Sequence, residues 1–408
     1  MNVLFLSPAF PIEMPHFVAA LAAVGARVFA VGEQPEAALP DAAKEHLTAY
    51  VQVSSIMNEA EVIATVHSQA STHGVRFDRV ECLWEPLMLL AARLREVLSV
   101  PGMTVAQTVP FRDKETMKQV LDAAGIRTPR HYRCDSASSV REAAGKVGYP
   151  LIVKPIDGAG SADTHRVDEP SQLESVLSSI GHVPEVSVEE FIDGEEFTFD
   201  TICAQDKVLF HNICWYRPRP LIARTVEWMD SQTIALRDPN DDYVKSGCEM
   251  GFRVLDALGF TDGYTHMEWF RKPDGEAVFG EIGARPPGAL TVETMSFAAD
   301  FDCYRGWAEA TCLGHFTQPV QRRYNASCIF KRARGQGRIE AVHGMERYLQ
   351  KYGEHVIRVD MLPVGAQRRN WLATLLSDGH IVLRHPDLQA TLQMSDAFGS
   401  EVWIEAGA

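Results

Sequence analysis

The sequence predicts a mixed α/β fold of several lobes. It comprises a Rossmann-like, parallel-sheet domain over 1–105, a small lobe over 106–186, a large lobe over 187–321 and a small α+β lobe over 322–408 packed on the large one. Three observations carry that prediction. Over the first hundred residues short apolar strands alternate with amphipathic helices, the pattern of strand–helix–strand units in a parallel sheet. From 187 to about 316 the pattern is rich in strands. At 408 residues the chain exceeds the usual single-core size.

The first strand, 2–6, precedes a helix near 17–24 that Gly25 stops with a left-handed cap, and a second strand follows at 27–31. A strand at 80–83 and a helix at 86–98, closing on Val100, Pro101 and Gly102, complete the first domain. Its opening strand runs into Ser7, Pro8, Ala9 and Phe10 rather than GxGxxG, so no dinucleotide is expected there. A helix over 114–124, ended by Gly125 with Pro129 beyond it, opens the small lobe, which continues through a strand at 151–153 and a helix at 171–179. Beyond Arg322 strands are expected at 326–331, 356–361, 380–383 and 402–405, with a helix near 388–398. Linkers are short, so the lobes are expected to pack as one body.

Composition narrows the function. The formal charge of -15, with Lys and Arg scattered, argues against a general nucleic-acid or anionic-membrane surface, so any anion site must be local. Eight cysteines form no CxxC pair and have no metal-ligand spacing with histidine; they read as thiols in a reducing compartment. The apolar run 3–6 is too short for a signal-peptide core, and no stretch has transmembrane length. A cytoplasmic location is expected.

Four short signals suggest chemistry. In 149–155, Tyr-Pro-Leu-Ile-Val-Lys-Pro, Lys154 ends an otherwise apolar strand, and buried lysines are uncommon unless they find an anion. The run Asp157-Gly158-Ala159-Gly160-Ser161 follows at once, and its backbone N–H groups can turn toward phosphate oxygens. A strand with a snorkelling lysine before a glycine turn is the plain alternative. The lysine precedes the glycines, so this is not a P-loop. Lys114, after Arg112 and Asp113, stands on the first turn of its helix, where its charge opposes the macrodipole unless phosphate binds there.

Residues 188–199 read as strand, Asp193-Gly194 turn and strand, a hairpin whose extended backbone can offer donors and acceptors to a planar base. Further on, His266, Glu268 and Phe270 alternate on one strand face, and a turn near Asp274-Gly275 returns the chain along 277–282. With a two-residue loop Glu268 stands opposite Glu281. Opposed like charges are destabilising in a sheet, and a divalent cation between them would convert repulsion into coordination; oxygen ligands suit Mg2+, or Mn2+ in its place. A three-residue loop, Pro273-Asp274-Gly275, moves the register by one and separates the acids unless a bulge compensates. Arg285, four residues after Glu281, presents a fork suited to a carboxylate or an acyl phosphate. Trp215 to Arg219 and Trp228 are candidate pocket walls, and His266 is read chiefly as a satisfied structural histidine.

Taken in order, Lys114, Lys154, Glu196, Glu268, Glu281 and Arg285 resemble the ATP-grasp superfamily, closest to its carboxylate-amine ligases of the L-amino-acid ligase type. The resemblance implies ATP held through Lys114, Lys154, Gly158, Gly160 and Ser161. It places Glu189, Glu190, Phe191 and Ile192 along the base, Glu196 on the ribose, Glu268 and Glu281 on the metal, and Arg285 in catalysis. It implies small carboxylate and amine substrates joined through an acyl phosphate, with ADP released. Homodimers are common in such families, but nothing in the sequence establishes one. The register that opposes Glu268 and Glu281 is favoured on this resemblance. Most members carry Asn two residues after the second metal glutamate; here it is Gly283, which leaves water or a substrate oxygen to complete a two-metal site. Other ATP-grasp chemistry, through carboxyphosphate or a thioester, and a nucleotide-sensing role are the rival readings.

Overall fold

The computed structural model describes residues 1–158, 163–372, 374 and 376–407. Strands Leu47–Gln52, Arg27–Gly32, Asn2–Leu6 and Arg79–Glu81 lie side by side in that order and form the expected parallel N-terminal sheet. Helices Met14–Ala23 and Glu59–His73 connect strands of this sheet and Met88–Leu98 follows its last one; the sequence reading did not assign Glu59–His73. The small lobe is a four-stranded antiparallel sheet ordered His131–Cys134, Val186–Glu190, Leu151–Pro155 and His165–Val167. Its core of Val140, Ala144, Leu151, Val153 and Val188 is separate from the rest.

The hairpin expected at 188–199 is not one. Val186–Glu190 pairs within the small lobe, whereas Glu195–Ala204 pairs with Gly263–Arg271 and Cys214–Arg217 in the large sheet. The passage between lobes therefore lies at 191–194 rather than at 187. The turn signal Asp193-Gly194 marks a crossing because each flanking strand finds neighbours of its own. At the crossing, a Cβ on Gly194 would stand 2.6 Å from the Arg271 carbonyl oxygen, so only glycine lets the two backbones approach.

The third region is also less strand-dominated than expected, for it holds helices Lys245–Leu258, Thr291–Ala299 and Cys303–Leu313. Gly247 and Gly251 disguise the first of these in sequence. Both are packing residues: a Cβ on Gly247 would meet Trp269 Cζ2 at 2.0 Å, and one on Gly251 would meet Phe199 Cδ1 at 2.4 Å.

The C-terminal strands do not form a lobe merely packed on the large one. Asn325–Lys331 pairs with Ser231–Ala235, and Gly379–His385 and Val356–Met361 extend the same nine-stranded sheet to its edge. A backbone ladder is thus shared across 322, leaving only the small sheet of Arg334–Gly335, Trp403–Gly407 and Arg338–His343 apart.

The N-terminal domain and the large lobe share one core. Phe17 packs edge-on against Trp307 with ring centroids 5.2 Å apart, and Phe5, Phe210 and Phe301 join them. All eight cysteines are free, seven of them buried. Among the described residues no helix is long and apolar enough to cross a membrane.

Candidate active site

Between the small and large lobes lies a cleft of about 920 Å³, and eleven of the thirteen residues singled out in the sequence line it: Lys114, Lys154, Gly158, Glu189, Glu190, Phe191, Ile192, Glu196, Glu268, Glu281 and Arg285. Gly160 and Ser161 lie outside the described residues.

At one end, two lysines from different elements meet one carboxylate. Lys154, next to last on Leu151–Pro155, places Nζ 3.7 Å from Glu281 Oε2, and Lys114, on the first turn of Lys114–Ala123, places its own 3.6 Å away. Lys114 Nζ also donates to the Gly158 carbonyl, and its backbone N–H donates to Ile156 O at 3.2 Å, so helix and glycine loop are joined. Burial works against the Glu281 charge, but Lys114 and Lys154 overcome it and bring its pKa down to about 2. Burial likewise opposes the Lys154 charge, and Glu189 and Glu281 outweigh that, so its pKa rises.

Glu189 differs from the expectation of a residue that serves the base. Its side chain turns into the small lobe, where Oε2 lies 3.1 Å from Lys154 Nζ and Oε1 contacts Lys118 and accepts from Ser187 Oγ at 2.8 Å. Lys118 is wholly buried. Burial would raise the Glu189 pKa, yet Lys118 and Lys154 bring it to about 2. Sequence reasoning missed Lys118, although Lys114, Met117, Lys118 and Leu121 recur at the spacing of one helix face and so place a lysine among core positions.

Toward the other end, Glu196 Oε2 pairs with Arg219 Nε at 3.1 Å, and Arg219 Nη1 donates to Ile192 O at 2.8 Å. The Arg219 guanidinium lies over Phe270 and Phe191, 4.6 and 5.0 Å from the ring centroids. Burial, then the nearby Glu268, raises the Glu196 pKa to about 8. Glu190 points aside to Arg127, 3.0 Å away, while Phe191 and Ile192 line the cleft.

Glu268 and Glu281 do stand opposite each other, but by the route the sequence reading did not favour. The loop is Pro273-Asp274-Gly275, with Lys272 N–H donating to Glu276 O at 2.9 Å and Gly275 at φ +88°. Trp269 pairs with Phe279 and Glu268 with Glu281, leaving Gly280 unpaired as a bulge. That extra residue restores the facing pair which the longer loop alone would have lost. Among the described residues no cluster of three or more His, Cys, Asp or Glu is arranged to hold a metal. Two facing carboxylates nevertheless fit Mg2+, which keeps most of its shell as water and phosphate oxygens.

Arg285 is held by a residue from the N-terminal domain: its Nε lies 3.0 Å from Glu85 Oε2. The other oxygen of Glu85 contacts Arg112, whose Nη2 donates to Asp157 O at 2.8 Å. Glu85 is buried, at 6 % exposure. No local pattern marked it, because its partners are 27 and 200 residues away.

A second cleft of about 900 Å³ meets the first at Glu268 and Arg285 and is walled by Tyr216, His266, Phe330, Arg332 and Trp371. His266 Nδ1 lies 2.6 Å from Asp200 Oδ1 and its Nε2 3.5 Å from Glu268 Oε1; burial opposes its protonation, but Asp200 brings its pKa up to about 9. Of the proposed pocket walls, Trp215 stacks on Phe197 at 5.6 Å and Trp228 is 48 % exposed under Arg368, so neither lines these clefts. Tyr216, Pro218 and Arg219 do.

A two-lobed cleft with lysines on one wall, facing acids on the other and a strand-to-strand crossing behind it defines an ATP-grasp fold. The profile of the ATP-grasp domain matches residues 111–217. The chain contains an ATP-grasp domain, and its likeness runs to the carboxylate-amine ligases of that superfamily. It is 28 % identical over 219 residues to an L-arginine-specific L-amino acid ligase of Bacillus subtilis, covering 52 % of each chain. To a D-alanine–D-alanine ligase of Pseudomonas fluorescens it is 35 % identical over 119 residues, 28 % of this chain and 36 % of that one. The chain thus spans about half or less of these relatives. In structure it resembles an L-amino acid ligase from Bacillus licheniformis with a TM-score of 0.80 at 20 % identity, covering 100 % of this chain and 99 % of the other.

Proposed function

We propose that this protein joins a small carboxylate to an amine at the expense of ATP, through an acyl phosphate, and releases ADP and phosphate. The convergence of Lys114, Lys154, Glu268, Glu281 and Arg285 on one cleft carries the reading. In it the substrate carboxylate oxygen attacks the γ-phosphorus, and the bond from that phosphorus to the bridging oxygen of ADP breaks. The amine nitrogen then attacks the acyl carbon, loses a proton, and inorganic phosphate leaves.

Phosphoryl transfer needs positioning and charge neutralisation more than a protein nucleophile. Lys114 and Lys154 supply two positive charges at the phosphate end, and Phe191 and Ile192 border the base. Glu196 would serve the ribose, which requires Arg219 to share or yield its carboxylate. Glu268 and Glu281 would hold Mg2+, which supplies neutralisation of the phosphate oxygens when bound. Arg285, which lines both clefts where they meet, would stabilise the acyl phosphate.

The test supplies ATP, Mg2+ and panels of amino acids and identifies both the nucleotide product and the new compound. ADP with an amide is expected; AMP with pyrophosphate would indicate adenylation and end the acyl-phosphate reading. Lys154→Met should weaken ATP binding at least about tenfold, as loss of charge-assisted hydrogen bonds implies. Glu281→Gln should abolish turnover with a milder loss of nucleotide affinity, read by titration calorimetry.

A further inference from the structure

The second cleft has a chemical bias that the nucleotide site does not explain. Arg224 and Arg332 stand on its wall away from the nucleotide, and neither has a carboxylate partner among the described residues. Among the described residues Arg224 makes one hydrogen bond, to Leu372 O at 3.3 Å. Arg332, only 9 % exposed, directs Nη1 to the carbonyls of Ala223, Val226 and Glu227 at 2.8, 2.9 and 3.3 Å and lies 4.8 Å over the Trp371 ring.

The acids nearby are committed elsewhere. Asp230 pairs with Lys331. Asp378 accepts from the backbone of Ala333 and Arg369 at 2.8 and 2.7 Å and lies 3.6 Å from Arg368, and Glu227 lies 2.9 Å from Arg368. At the cleft's other end His266 is paired with Asp200 and Arg285 with Glu85. Burial works against the Arg332 charge and lowers its pKa; Asp230 and, less, Asp378 offset part of that from a distance, while Arg224 and Arg368 add repulsion.

Two guanidinium groups on one wall, neither with a carboxylate in ion-pair range among the described residues, are costly unless an anion arrives to compensate them. Their planar forks suit carboxylate and phosphate oxygens. We propose that the substrate held in the second cleft carries, besides its reacting group, a dianionic head recognised by Arg224 and Arg332, as two carboxylates or as one phosphate monoester. Basic substrates are disfavoured at this wall by the same two charges. The inference rests on the ligase reading for the word substrate, and on the cleft alone for the anion site.

Binding to the whole protein, saturated with MgADP, is measured by calorimetry for L-glutamate, L-aspartate, O-phosphoethanolamine, L-glutamine and L-arginine. Either the dicarboxylic amino acids or the phosphate monoester should bind at least about tenfold tighter than L-glutamine, the scale of one charge-assisted contact. Which of the two does so names the source of the charge. Arg224→Ala should remove that preference and Arg224→Lys restore part of it, with MgADP affinity unchanged in both. Equal affinity for L-glutamate, O-phosphoethanolamine and L-glutamine, tighter binding of L-arginine, or a preference that survives Arg224→Ala would overturn the proposal. Arg224-dependent anion binding without amide formation from any pair would leave the site standing and end the ligase reading. Amide formation from neutral amines, indifferent to Arg224→Ala, would do the reverse.

Discussion

Lys118 shows how one buried residue sets the charge available at the site. Glu189, alone with Lys154, would engage that ammonium fully; Lys118 takes the other oxygen and leaves Lys154 also near Glu281. Lys118→Met should cost about 3–5 kcal/mol, the range for removing one partner of a buried ion pair, measured by urea unfolding. Nucleotide affinity should fall with it, because Glu189 then has only Lys154.

The same network fixes a pH response. Glu189 titrates at about 2 in the fold against an ordinary 4.5, so folding favours its ionised form. Its contribution is present above pH 4.5 and lost as pH falls from there toward 2. Unfolding free energy measured across that window should decline, and the decline should be shallower in Glu189→Gln. Residue types and spacing made Lys114, Lys154, Glu268 and Glu281 legible in sequence. They could not show where the Glu189 side chain turns, since that depends on Lys118 arriving from another element.

At the scale of elements, the Gly280 bulge decides whether the two acids face each other. A Cβ there would come within 2.8 Å of the Glu268 carbonyl oxygen. Gly280→Ala should therefore leave the protein folded, at a cost of about 1–3 kcal/mol for the crowding, and displace the pair. The measurable consequence is a loss of the gain in ADP affinity on adding Mg2+, with metal-free ADP binding little changed; an intact Mg2+ effect would contradict it. Strands and turns announced themselves through alternation and through Asp-Gly. The bulge did not, because a glycine between Phe279 and Glu281 reads the same in a regular strand. Helix Lys245–Leu258 was hidden for a related reason: its glycines report the bulk of Trp269 and Phe199 beneath it, not a helical preference.

Across the whole molecule, Glu85 connects all three parts of the site. It reaches from the N-terminal domain to Arg285 on the large lobe and, through Arg112, to Asp157 in the glycine loop of the small lobe. Glu85→Gln should release Arg285 and lower kcat by about tenfold or more, the scale of one charge-assisted contact. Steady-state kinetics beside MgADP calorimetry should show the loss in turnover and not in nucleotide affinity. Equal losses in both would point to general damage instead.

The sequence by itself determined the parallel N-terminal sheet, the order of the phosphate, nucleoside and metal signals, and the identity of most cleft-lining groups, because periodicity, turn chemistry and residue type are local properties. Tertiary structure decided that 188–199 crosses between two sheets, that the C-terminal strands continue the large sheet, and that Lys118, Glu85, Arg224 and Arg332 stand where they do. Those outcomes depend on which distant strand or charge completes a ladder or an ion pair, and partners so far apart in sequence leave no periodic trace in it.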